Sequence, residues 1–462
     1  MEVKLPKTIE ECHQLIGELC SVVKQMQVEI DELKAQVKQN SQNSHRPPSS
    51  DNFQKPNPKP SLKRKKKRRG GQKGHRGKTL KKVENPDVVV DCEPADCRCG
   101  ETMWVGKSEI LETRQVFELP EPRLEVMEYR KIKRLCQCGQ ASCGEFPKQV
   151  LGQTQYGERV QALVALLSVR GCLSHRKIGE VFGDLYGSEL NEATIQEMLQ
   201  RTSEVMPMEA IKTEIANAKV INVDETSLRE NGIKKWLHTV SSRIWSYQFV
   251  HPKRGREAMR DEKSVLPEYK GVAIHDCLES YFGFQQMKHG ICNAHILREL
   301  TGIIENSQSR WGWRMKRLML RIYVASEYGK GEVADFGGYE KRYEEILAEG
   351  EKEEPPPEKI HLKGKLKRTK GRNLLERMQK HQAAILRFAV EKEVPFTNNQ
   401  AERDLRNAKV KQKMNGGFRA TSGTESYVRI NSYLMSLRKQ GRQVFQELVS
   451  IIKGKPFATC QT

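Results

Sequence analysis

Three carboxylates stand where they could hold hard divalent cations. Asp224 ends the apolar run Val220-Ile221-Asn222-Val223-Asp224 and precedes Glu225-Thr226-Ser227. Asp276 ends a second run, Gly271-Val272-Ala273-Ile274-His275-Asp276. Glu402 lies just inside a predicted helix that opens at Thr397-Asn398-Asn399. Mg²⁺ or Mn²⁺ prefers carboxylate oxygens, and two such ions about 4 Å apart clamp the attacking and leaving oxygens of a phosphodiester. Each acid also has a plainer reading. Asp224 suits a turn after a strand, and Asp276 suits an N-cap. Glu402 suits a capping box with Asn399 or an i,i+4 pair with Arg406. Glu225 and Glu279 are the nearest substitutes. After Glu402 come Arg403, Arg406, Lys409, Lys411 and Lys413, a positive helix and loop suited to phosphates.

The elements that must position these acids read as α/β. Short apolar runs bounded by turn residues are strand signals. Beyond the run ending at Asp224, Lys235–Val240 and Ile244–Val250 form a predicted hairpin, Arg254–Leu266 a helix, and Val272–Asp276 a fourth strand. Strand-strand-strand-helix-strand, with acids ending the first and fourth strands, matches a ribonuclease-H-like arrangement. A helical interruption runs from about 290 to 395, with a charged, Pro-broken linker at Glu349–Arg372. Within it, Cys292-x-x-His295 is half a metal site without a visible partner pair, or simply a packed pair.

The chain has 462 residues, 37% of them hydrophobic, and a formal net charge of +21. That length predicts several domains, and that charge a polyanionic partner. Fourteen Lys/Arg against one acid lie between Asp51 and Lys82. The segment includes Lys63-Arg64-Lys65-Lys66-Lys67-Arg68-Arg69, then Lys73, Arg76 and Lys78 among glycines. Such a run stays extended until phosphates neutralise it, so it reads as a disordered DNA tether. No stretch of 18 apolar residues and no signal core is present, so the expectation is a cytoplasmic, nucleoid-associated protein without a membrane partner.

Upstream, Ile9, Ile16, Val23, Ile30 and Val37 alternate with Cys12, Leu19, Met26 and Leu33 at heptad spacing. Four heptads with β-branched a positions predict a parallel dimeric coiled coil, or else one amphipathic helix on its own domain. Cys97-x-Cys99-Gly100 and Cys136-x-Cys138-Gly139 are two matching knuckles that could hold one structural Zn²⁺, with Cys92 and Cys143 as substitute ligands. Alternation from Glu109 to Glu128 suggests a β-hairpin between them. Residues 157–205 carry helical periodicity, which fits either a helix-turn-helix presenting Gln196, Gln200 and Arg201 or a plain bundle.

Taken together, the coil, Gly70-Gly71-Gln72-x-Gly74-His75-x-Gly77, the knuckles, Val223-Asp224-Glu225-Thr226, Cys292-x-Ala294-His295 and Asn398-Asn399-x-Ala401-Glu402-Arg403 resemble transposases of the insertion-sequence-66 family, the TnpC type. The resemblance implies a DDE catalytic domain with Asp224, Asp276 and Glu402 as Mg²⁺ (or Mn²⁺) ligands, Asp224 bridging two ions. It implies cleavage of element ends and strand transfer into target DNA. It also implies action as a multimer on terminal inverted repeats, with small accessory proteins. The expected divisions are a coil at 1–45, a basic linker at 46–85, a zinc module at 86–150 and a helical DNA-binding region at 151–212. The first part of the core follows at 213–290, a helical insertion at 291–394 and the rest of the core at 395–462. Two rivals are a catalytically inactive DNA-binding regulator and a hydrolytic nuclease of the same fold.

Overall fold

The apolar run that ends at Asp224 is the start of a longer strand, because alternation continues past the acid to Glu230. The computed structural model describes residues 8–44, 80–93, 99, 108–147, 149–329, 333–356 and 368–455. These fall into two units, one comprising Asn57–Met127 with Leu185–Gly187, the other comprising the remainder.

In the smaller unit, the described residues 80–93 and 108–127 form no strand. The hairpin expected from Glu109 to Glu128 is therefore not built. Pro120 and Pro122 carry no N–H to donate to a ladder. A side-chain amide substitutes locally: Gln115 accepts from Val83 N–H and donates to Val83 O, both at 2.8 Å. Cys97 and the whole tether from Lys63 to Lys78 lie outside the described residues.

The larger unit begins with helix α1 (Ile9–Val37). Its end is seated on the insertion: Asn43 donates to Glu305 at 3.0 Å, and a Cβ on Gly302 would meet Asn43 O at 2.5 Å. A small hairpin, β1 (Lys133–Leu135) and β2 (Ala141–Cys143), turns through Cys136 and Cys138, with Gly139 at φ +84° closing the turn. The sequence places that Gly where an L side chain would be strained. Helices α2 (Glu158–Ala165), α3 (His175–Tyr186), α4 (Glu192–Glu204) and α5 (Met208–Ala216) follow, with a π-helical turn at Leu166–Arg170.

Five strands make the central sheet: β3 (Val220–Glu230), β4 (Ile233–Ser241), β5 (Ser246–His251), β6 (Val272–His275) and β7 (Lys288–Ile291). Their order is β5-β4-β3-β6-β7. The first three are antiparallel neighbours, while β6 runs parallel to both β3 and β7. The helix expected over Arg254–Leu266 is only α6 (Arg256–Met259). Beyond it Asp261 and Ser264 take the backbone N–H groups of Lys263 and Leu266, a local competition that ends helices. Strand β7 had no sequence expectation. It is four residues long and carries Gly290, where a Cβ would sit 2.4 Å from Ile274.

The insertion supplies α7 (Asn293–Ser307), α8 (Arg310–Tyr328), α9 (Phe336–Glu353), α10 (Lys370–Lys380) and α11 (Gln382–Leu386). Trp311, Met315, Leu318, Leu374 and Leu375 bury with Val272, Ile274 and Ile291, so the insertion shares its core with β6 and β7. Helices α12 (Asn399–Asn415), α13 (Thr421–Lys439) and α14 (Val444–Ile452) close the chain. Helix α12 packs on β3 and β4, and α13 on β5 and α4. The ends of the segment expected to be a linker, Glu349–Arg372, are helical in α9 and α10.

Candidate active site

Parallel register brings the first two acids level. Asn222 pairs with Ile274 across β3 and β6, so Asp224 and Asp276, each two residues further, emerge together at the carboxyl end of β6. The carboxyl end of a parallel strand pair is where open α/β sheets bind ligands. Asp276 Oδ1 accepts from Leu278 N–H at 3.0 Å, and Cys277 beside it holds φ +74°. The N-cap-like hydrogen bond is thus real, and it leaves the second oxygen for other work.

Glu402 reaches the same end of the sheet from α12. The agent is Asn398, 1% exposed, whose side chain accepts from Asn222 Nδ2 at 2.9 Å and donates to Val223 O at 2.8 Å. Its backbone N–H donates to Cys292 Sγ at 3.2 Å. No side-chain hydrogen bond caps α12, so the capping-box reading of Glu402 does not apply. The cation facing Glu402 is Arg298, at 3.8 Å, and Arg406 is exposed. Glu402 Oε1 is buried without a hydrogen-bond partner.

Electrostatics tie the acids into one group. Burial first, then the charges of Glu225, Asp276 and Glu402, push the Asp224 carboxyl well above the ordinary range. Crowded, desolvated carboxylates favour a cation or a proton among them. The charges of Asp276 and Glu402 are felt at Asp224, but among the described residues the group whose ligand atoms all lie within 4.8 Å of one another joins Glu402 to Cys292 and His295, not to the two aspartates. Glu225 faces a different task. Its fully buried side chain takes Arg254 Nε at 2.8 Å and the Tyr281 hydroxyl at 2.6 Å. Burial and Asp276 still raise its carboxyl. Arg254 also stands 3.6 Å from Asp276 and stacks over Trp236. Glu279, the other substitute, is exposed and pairs with Lys380. Arg254 and Tyr281 carried no sequence signal, because nothing in their spacing points at Glu225.

Beneath Asp276, His275 is fully buried, and burial holds its imidazole well below the usual value. Cys277 N–H donates to His275 Nδ1, which leaves Nε2 as donor to His289 Nδ1 at 3.2 Å; His289 Nε2 then donates to Phe284 O. One set of neutral tautomers satisfies the whole chain. It fixes the loop that carries Asp276.

Of the basic residues, Arg403 and Arg406 are exposed on α12. Lys411 is not part of that surface. It is buried, donates to Ser168 O at 2.8 Å, and burial drops its amine to about 8. In the candidate DNA-reading region, Gln200 and Arg201 are exposed, and the buried side of α4 meets α2 and α13. Cys99, Cys136 and Cys138 are exposed thiols. Hydrogen bonds from Cys138 lower the Cys136 thiol.

Residues 2–81 match a family of unknown function, DUF6444. No curated protein matches the chain. Residues 153–426, which include Asp224, Asp276 and Glu402, match the family described as "Transposase IS66 family". With more than half its length inside that match, the chain belongs to the IS66 family of transposases.

Proposed function

We propose that the chain is a DDE-type DNA transposase with a ribonuclease-H-like core, in which Asp224, Asp276 and Glu402 hold catalytic Mg²⁺ or Mn²⁺. The observation that carries this reading is the β3–β6 register, which sets Asp224 and Asp276 side by side at one end of the sheet, while Asn398 binds the helix of Glu402 to the same strand. The strand order β5-β4-β3-β6-β7 supports the core assignment. When bound, the metal pair supplies a polarised phosphate and a deprotonated nucleophile. The chain's own part is to orient and desolvate. Asp224 sits centrally among the acids, Glu225 and Tyr281 hold Arg254 beside Asp276, and exposed Arg403 and Arg406 offer phosphate contacts along α12.

On this reading the N-terminal coil joins two or more copies, and the knuckles Cys97, Cys99, Cys136 and Cys138 hold structural Zn²⁺. The tether from Lys63 to Lys78 and the α2–α4 region engage element ends and target DNA at the nucleoid. Small accessory proteins of the element complete the assembly. No helix among the described residues is long and apolar enough to cross a membrane.

The test is end cleavage and strand transfer with labelled element ends. Asp224→Ala, Asp276→Ala and Glu402→Ala should each lower both steps by about 10³-fold, the effect of losing several kcal/mol of charge stabilisation. An alanine variant that cleaves at the normal rate removes that residue from the set. Cleavage without joining of pre-cleaved ends makes the chain a nuclease instead.

A further inference from the structure

Cys292-x-x-His295 looks incomplete in the sequence, and the fold supplies the missing partner. Cys292 follows β7 and stands at the N-cap of α7, with His295 in the first turn. The start of α12 lies against them, because Asn293 N–H donates to Phe396 O at 3.1 Å and Asn398 N–H donates to Cys292 Sγ. As a result, one ligand atom each from Cys292, His295 and Glu402 lies within 4.8 Å of the other two.

We propose that Cys292, His295 and Glu402 form a binding site for one Zn²⁺-class cation, distinct in donor chemistry from the carboxylate cluster of Asp224 and Asp276. Thiolate, imidazole and carboxylate are the donors tetrahedral Zn²⁺ takes, whereas Mg²⁺ avoids sulfur and nitrogen. Zinc ligands lie about 2.0–2.3 Å from the ion, which places ligand atoms about 3.5 Å apart. A closure of roughly one ångström by side-chain rotation brings the three into range. Cys292 is fully buried, and its sulfur already accepts a backbone N–H, the kind of bond that orients metal thiolates. The thiolate is the form that binds the cation, so binding releases the Cys292 proton to solvent. Arg298 faces Glu402 at 3.8 Å, beyond hydrogen-bond reach, and does not satisfy the buried Oε1.

Three protein ligands leave a fourth position for water. The ion would tie the first turn of the insertion to the first turn of α12, holding one oxygen of Glu402 while the other stays available. Glu402 is shared with the proposed catalytic set, but zinc binding does not require that set to be catalytic.

The experiment counts metal in the full-length chain after Zn²⁺ loading and dialysis, for the native protein, Cys292→Ser, His295→Gln, Glu402→Gln and Asp224→Asn. Cys292→Ser and His295→Gln should each lose one zinc per chain relative to the native protein, and Asp224→Asn none. With Co²⁺ in place of Zn²⁺, the native-minus-Cys292→Ser spectrum should show a thiolate-to-cobalt charge-transfer band. Undiminished zinc in both variants, with unchanged circular dichroism, overturns the site, as does loss of this zinc in Asp224→Asn. Should Cys292→Ser misfold, Glu402→Gln at its partly exposed position gives the same reading. Abolished strand transfer with zinc intact in Asp224→Asn bears on the catalytic reading alone.

Discussion

Asp224 and Glu225 are neighbours on one strand, yet the fold gives them opposite circumstances. Glu225 accepts from Arg254 and a phenol, while Asp224 has a single backbone N–H at its Oδ1 and the charges of Glu225, Asp276 and Glu402 nearby. The carboxyl of Asp224 titrates above its unfolded value, so the folded chain holds an extra proton between the ordinary carboxyl range and the raised one. Stability in the metal-free protein therefore falls as pH rises through that window. Asp224→Asn should remove the fall and melt higher than the native chain at neutral pH in chelator. Added Mg²⁺ should raise the melting temperature of the native chain more than that of the variant. Equal melting of the two in chelator would show that the crowding at this carboxylate is not felt.

Elements are held to the site by a few buried polar struts. Asn398→Ala would leave Asn222 and Val223 O unpaired inside the protein, at about 2–4 kcal/mol for two buried groups. Denaturant unfolding should show that loss, and strand transfer should fall with it because the Glu402 helix is no longer tied to β3. A loss below about 0.5 kcal/mol would mean water replaces the strut. At the other end of α12, Lys411 is a buried amine with its value lowered to about 8. The folded state sheds this proton before the unfolded state does, so stability should rise from pH 8 towards the ordinary lysine range. Lys411→Met should flatten that rise in a melting series. An identical slope would mean the amine reaches solvent.

At the scale of the whole molecule, α1 presents Ile9, Ile16, Leu19, Val23, Met26, Ile30, Leu33 and Val37 uncovered along 29 residues. Apolar seams of that length on a soluble helix find a partner helix. Ile16→Lys with Ile30→Lys removes two a-position side chains worth about 1.5–3 kcal/mol each when buried. Sedimentation should shift from a multimer to a monomer, with the sheet's melting unaffected. An unchanged mass would assign the seam to something other than a second copy. Because the end of α1 is seated on α7 through Asn43, a dimer formed there would carry the insertion, and through it β6 and β7, in a defined relation to the coil.

The sequence by itself determined the local features: the heptad seam, the strand that carries Asp224 (though not its continuation to Glu230), the strand that Asp276 follows, the tight Gly139 turn, and the helix that opens before Glu402. Each follows from a periodicity or a turn residue within about ten positions, the range over which backbone preference acts. Tertiary structure alone decided the rest. Strand β7 reads Lys-His-Gly-Ile, with one strong strand former against the apolar Val-Ala-Ile of β6, and exists because β6 offers it a ladder. The helix after Arg254 stops at Met259 because side chains downstream outcompete its backbone. Glu225 went to Arg254 and Tyr281, Lys411 went inside, and Cys292 with His295 found Glu402 more than a hundred residues away. Such pairings depend on which buried group lacks a partner once the sheet has formed, and no spacing along the chain encodes that.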